Sequence, residues 1–141
     1  SNTVFNQDIS NWDVSSVTEM YEMFDHSEFN QPIGNWDVSS VTNMNLMFRD
    51  NLAFNQDISS WDVSNVTLMN AMFQSADSFN QDIGNWDVSS VTEMINMFKN
   101  TDSFNQDIGN WSVDSVTNCS NFSENTPSWT LPQPNFTNCT P

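Results

Sequence analysis

Basic side chains are almost missing. The 141-residue chain carries 2 Lys plus Arg against 18 Asp plus Glu, a formal net charge of -16. Proteins that bind nucleic acid neutralise its phosphates with Lys and Arg; Arg49 and Lys99 are all this chain offers, so nucleic acid is excluded as a partner class and an anionic membrane surface is repelled. There are 3 Gly and 1 His. A glycine-rich phosphate cradle therefore has nothing to be built from, and imidazole chemistry would rest on His26 alone. No apolar run approaches the roughly 20 residues a bilayer span requires, so membrane insertion is not expected. No charged-then-apolar segment opens the sequence, and any targeting signal is expected to be removed or to lie outside it. What the chain does have is apolar bulk: 37% hydrophobic residues, 11 Phe, 6 Trp and 8 Met. That is too much for a disordered acidic tail, so the chain is expected to fold.

The bulk is periodic. Phe-Asn-Gln recurs at Phe5, Phe29, Phe54, Phe79 and Phe104, at intervals of 24, 25, 25 and 25 residues. Trp follows in step at Trp12, Trp36, Trp61, Trp86 and Trp111, and all 8 Met fall in the pairs Met20/Met23, Met44/Met47, Met69/Met72 and Met94/Met97. A period of this length predicts a stack of repeats, none of which can bury its apolar face without a neighbour. From Ile9 to Val17 the offsets read apolar-x-x-apolar-x-apolar-x-x-apolar, the cadence of a leucine-rich repeat. Trp12-Asp13-Val14 alternates as a half-buried strand does, with Trp12 and Val14 inward. Val17, Met20 and Phe24 then take helical spacing, and Ser16 before Glu19 and Ser90 before Glu93 suit capping boxes.

The predicted fold class is therefore an α/β repeat: a right-handed, leucine-rich-repeat-like solenoid of about five 24- to 25-residue coils, with a parallel sheet on one face, short helical turns on the other, and a capped C-terminus. Two units are expected, the repeats at residues 1–123 and a capping segment at 124–141. The Asn of each Phe-Asn-Gln is expected to form an internal row that satisfies turn backbone in the next coil.

The residues that carry this pattern, Phe-Asn-Gln-Asp-Ile, then Trp-Asp-Val-Ser-Ser-Val-Thr, then Met-x-x-Met-Phe, run from Phe5 to Phe24 and return lightly varied from Phe54 to Phe73 and Phe79 to Phe98. They resemble the BspA-like leucine-rich-repeat surface proteins, whose repeat is shared with mycoplasma surface lipoproteins. The resemblance covers residues 1 to about 123. It implies a secreted or cell-surface location and a protein-binding or adhesive role, and it names no ligand.

The fifth unit breaks the rhythm, with Ser112 in place of Asp, Cys119 in a Met slot, and Pro127, Pro132 and Pro134 beyond. Trp129, Leu131 and Phe136 are expected to cover the last coil. Cys119 and Cys139 are expected to pair, closing the tail and marking an oxidising compartment. A zinc site is the weaker reading, because His26 is remote from both. At the other end, nothing in the sequence covers the coil of Phe5, so further upstream repeats or an end-to-end dimer are expected there.

Catalysis needs differently tuned groups brought together, whereas these polar residues recur in columns, so no enzyme activity is expected. The outward strand face is the candidate binding face. Asp13, Asp37, Asp62 and Asp87 form one column, flanked by Asn11, Asn35, Asn85 and Asn110. Carboxylates about 4.8 Å apart repel by about 0.9 kcal/mol in bulk water and about 3.5 kcal/mol at an effective dielectric of 20. The plain reading of this column is a solvated acidic face screened by salt; the sharper one is calcium held at Asp13, Asp37, Asp62 and Asp87. A second column, Asp8, Asp57, Asp82 and Asp107, suits turn capping. The expected function is a noncatalytic recognition or adhesion module for an extracellular protein or glycan, the alternative being a structural spacer in a larger surface protein.

Overall fold

In the Met-x-x-Met-Phe segments, backbone N–H groups can close back on their own turn or donate to a neighbouring coil. In the computed structural model, which describes residues 4–141, alternate N–H groups donate outward. Met20 N donates to Asn43 O at 2.9 Å, Glu22 N to Asn45 O at 3.1 Å, Phe24 N to Met47 O at 2.9 Å and His26 N to Arg49 O at 2.8 Å. The same four bonds link each coil to the next, ending with Asn100 N to Glu124 O at 2.8 Å. Two left-handed residues per coil turn the backbone for this, Glu22, Leu46, Ala71, Asn96 and Asn121 in one row and His26, Asp50, Ser75, Asn100 and Asn125 in the other, with φ between 51° and 61°. One more bond per junction runs the opposite way, from the Thr N–H to the preceding Thr carbonyl, as in Thr42 N to Thr18 O at 2.8 Å.

The expected leucine-rich-repeat solenoid, with a parallel sheet facing short helical turns, is therefore corrected. Among the described residues there is no helix, and the parallel pairing consists of isolated bridges at Glu19, Asn43, Leu68, Glu93 and Asn118. The physical reason is the left-handed residue two positions after each first Met, or after Cys119 in coil 5. It breaks helical geometry and aims the N–H groups along the stack, where carbonyls of the next coil accept them. The Trp-Asp-Val segment forms no strand either, because tight turns close on both sides of it: Trp36 N donates to Ile33 O and Val41 N to Val38 O. The capping boxes at Ser16 and Ser90 have no helix to cap. In the same slot, Ser40 Oγ instead donates to Ser15 O of the preceding coil at 2.8 Å.

The result is a stack of coils built from turns, at residues 5–28, 29–53, 54–78, 79–103 and 104–128, here coils 1 to 5. Side chains fill its interior in columns. Phe29, Phe54, Phe79 and Phe104 stack with centroids 5.8–6.5 Å apart, and Phe24, Phe48, Phe73 and Phe98 at 5.5–5.7 Å. Trp61, Trp86 and Trp111 stack at 6.4 Å, nearly parallel. The indole N–H groups of Trp36, Trp61, Trp86 and Trp111 each find the carbonyl of the Ile one coil back, as in Trp61 Nε1 to Ile33 O at 3.1 Å, so the buried donor is satisfied. Coils pass close together at Gly34, where a Cβ would stand 2.5 Å from Asp57 O.

The tail continues the register before it departs from it. Trp129 takes the Phe slot, packing edge-on against Phe104 at 4.7 Å and donating from Nε1 to Gln106 O. Phe136 covers Phe122 at 4.9 Å, and Asn138 Nδ2 reaches Asp114 O. The Cys119–Cys139 disulfide closes the segment, with Cα atoms 5.9 Å apart. Leu131, expected in the cover, is instead 42% exposed.

Candidate functional site

Asp13, Asp37, Asp62 and Asp87 occupy the same outward position in four successive coils, and all are exposed. The chain turns immediately after each one. The carboxylate serves that turn: its Oδ1 accepts the backbone N–H of the Ser two residues on at 3.0–3.1 Å and that Ser hydroxyl at 2.6 Å. These bonds favour the ionised form, so Asp13, Asp37 and Asp87 titrate below the usual carboxylate range, the Ser hydroxyl being the first cause and its N–H the second. For Asp37 the charge of Asp13 pushes the other way. Each Asp keeps its second oxygen for a partner, and its direction is fixed by the pinned first. Asn11, Asn35, Asn85 and Asn110 are exposed beside the row. Asn35 Nδ2 donates to Ser10 O at 3.3 Å, at the long end of hydrogen-bond range.

Calcium requires six to eight oxygens converging on one point. A row of one Asp per coil, with Oδ1 already engaged, does not converge. Among the described residues, the three side chains whose ligating atoms lie within 4.8 Å of one another are Asp25, His26 and Asp50. That cluster is already occupied by a guanidinium. Arg49 donates to both oxygens of Asp25, from Nε at 2.8 Å and Nη2 at 2.7 Å, and His26 bridges Asp25 and Asp50. Burial raises the Asp25 pKa, but Arg49 and His26 outweigh it and hold the carboxyl below its ordinary value.

The second acidic column caps turns as expected: Asp8, Asp57, Asp82 and Asp107 each accept the backbone N–H two residues on at 2.9–3.0 Å. The Asn row is present but half-exposed or exposed rather than internal. Asn30, Asn55, Asn80 and Asn105 each donate a backbone N–H to the Asn Oδ1 one coil back at 2.9–3.0 Å. The exposed Thr row closes on backbone in the same manner: Thr42, Thr67 and Thr92 Oγ1 donate to the preceding Thr carbonyl at 3.1–3.2 Å.

Sequence reasoning overlooked where the two cations go. Asp25, Arg49, Gln74, Lys99 and Glu124 share one column, and within it Arg49 pairs with Asp25 and Lys99 with Glu124. The signal was available in the opposite charges 24 and 25 residues apart at a variable repeat position.

A stack of near-identical coils with acidic, Asn and Thr rows along its outside defines an acidic repeat protein. The chain belongs to the family described as "Mycoplasma protein of unknown function, DUF285", which matches residues 1–76 and again 25–136. No curated protein and no solved structure matches it.

Proposed function

We propose that the chain is a noncatalytic recognition module of a secreted or cell-surface protein, and that it offers the Asp13, Asp37, Asp62 and Asp87 row to a basic patch on an extracellular partner. The observation that carries this reading is the pinning of each carboxylate by its Ser at 2.6 Å. A charge held in one orientation costs little further entropy on binding, and a repeated one adds contacts coil by coil. Both cations are paired within the molecule, with Asp25 and Glu124, and neither stands in the Asp rows. The disulfide and the motif resemblance to BspA-like surface proteins support an extracellular setting.

The test uses Asp37→Asn, Asp62→Asn and Asp87→Asn together, because the amide oxygen still accepts the Ser bonds while the charge is lost. Partners are first captured from a panel of extracellular proteins and glycans at about 0.15 M salt. The triple variant is expected to weaken binding by about tenfold and to flatten its salt dependence. Asp8→Asn, Asp57→Asn and Asp82→Asn, which remove equal charge from the capping column, are expected to do much less. Equal losses from both sets would reduce the effect to bulk charge. No loss from either would favour a spacer.

A further inference from the structure

The end of the stack at coil 1 is unlike the end at coil 5. Phe5 is 43% exposed, Trp12 54% and Met23 36%, whereas Phe29, Trp36 and Met47, their counterparts one coil on, are 0%, 4% and 0% exposed. Trp12 was expected to point inward and be buried; it lies instead on this open face. The polar groups of the face are equally regular. Asn43, Asn45, Met47 and Arg49 carbonyls each accept an N–H from coil 1. Among the described residues, their counterparts Glu19, Tyr21, Met23 and Asp25 accept no backbone N–H. Thr18 N and Trp12 Nε1, whose counterparts donate to Thr18 O and Ile9 O, likewise have no partner among the described residues.

We propose that this end face is a docking surface for one further coil of the same repeat, presented by the side that faces coil 2 in coil 1. The argument is continuity with an interface the molecule already makes. The pairing of apolar columns, four outward N–H donors and one returning Thr bond joins every adjacent pair from coil 1 to coil 5, and the end face carries the acceptor half of that set in the same order. A groove that fitted an unrelated apolar partner would have no reason to set four carbonyls at alternate residues. A second intact copy does not supply the complement in this orientation, because its last coil is already covered by Trp129, by Thr130 and Leu131 N–H groups on Asn105 Oδ1, and by the disulfide. The occupant is therefore one repeat coil whose own donor face is open, the complement that coil 1 presents to coil 2. This proposal is independent of the acidic row, which lies on the side of the stack.

The experiment adds a copy of residues 79–103, with Trp86→Phe in the copy, directly ahead of Phe5, so that the number of indoles is unchanged. Acrylamide quenching of the extended chain is expected to lose its most accessible Trp component, the amide hydrogen of Thr18 to gain protection from exchange, and the melting temperature to rise by about 4 °C or more. A matched extension carrying Met94→Ser, Met97→Ser and Phe98→Ser in the copy is expected to do none of these. Trp12 and Thr18 as accessible in the first extension as in the parent would overturn the proposal, whether or not the added segment folds. So would sedimentation of the parent as a dimer in which both are already protected, since the occupant would then be a second copy.

Discussion

Leu46 and Ala71 sit at φ 61° and 52°, where Asn96 and Asn121 hold the same slot in later coils. A side chain with a Cβ pays roughly 1–2 kcal/mol in this left-handed region, and Asn suffers least among the non-glycine residues. Leu46→Asn is therefore expected to stabilise the chain by about 0.5–1 kcal/mol, read as a higher midpoint in equilibrium urea unfolding with an unchanged slope. A loss of stability would mean that the half-buried Leu46 side chain contributes more through packing than its backbone costs. These positions also mark the limit of what the residues announce. The inward set was legible, because Trp36, Val38, Val41 and Met44 repeat and are all buried. The left-handed slots of the Glu22 row were not, since Glu, Leu, Ala and Asn share no turn preference by which to find them.

At the level of the coil, the apolar spacing from Val17 to Phe24 reads as helical, yet the segment is an extended series of turns whose hydrogen bonds run between coils. Spacing says which side chains go inward, and two backbones can share one such pattern. Pairing along the stack then decides, because a coil with neighbours on both sides satisfies its N–H groups without a helix. The Asn row was more legible, since one amide oxygen serving a neighbouring turn needs only the repeat. Asn55 Oδ1 accepts both Asn80 N and Gln81 Nε2 at 2.9 Å. Asn55→Ala removes that acceptor from two solvent-accessible donors, one of which keeps the Asn55 carbonyl, and is expected to cost about 0.5–1.5 kcal/mol. Asn55→Asp restores an acceptor and is expected to recover a good part of that loss in the same urea titration. The candidate binding row was legible as a row. Its pinning by Ser15, Ser39, Ser64 and Ser89 was not, because a turn closing after Asp is invisible where a strand is expected.

Across the whole molecule, charge and turn capping respond oppositely to acid. Asp8, Asp13, Asp37, Asp57 and Asp87 are held low by hydrogen bonds from the Ser two residues on. An acid with a lowered folded pKa contributes stability that is complete above its unfolded value, about 3.9, and disappears as pH falls through the folded value. Asp77 behaves in the other sense: burial first, then Asp102 and Asp50, raise it, so protonation relieves the folded state. Between neutral pH and the isoelectric point near 4.1 the chain sheds mutual repulsion while its caps stay ionised. The melting temperature is expected to rise over that interval and to fall below about pH 4. At pH 7, added salt is expected to raise it by screening. Thermal scans across pH and salt check both, and a melting temperature that drops steadily from pH 7 to 5 would contradict them.

The indole column has an optical consequence. Trp61, Trp86 and Trp111 lie nearly parallel at 6.4 Å, close enough for their electronic transitions to couple, while the backbone has no helix among its described residues to dominate the far-ultraviolet signal. Circular dichroism of this chain will therefore carry an exciton band from the aromatic stack. Fitting such a spectrum to helix and sheet fractions would misreport the backbone, but its disappearance on heating would track the separation of coil from coil.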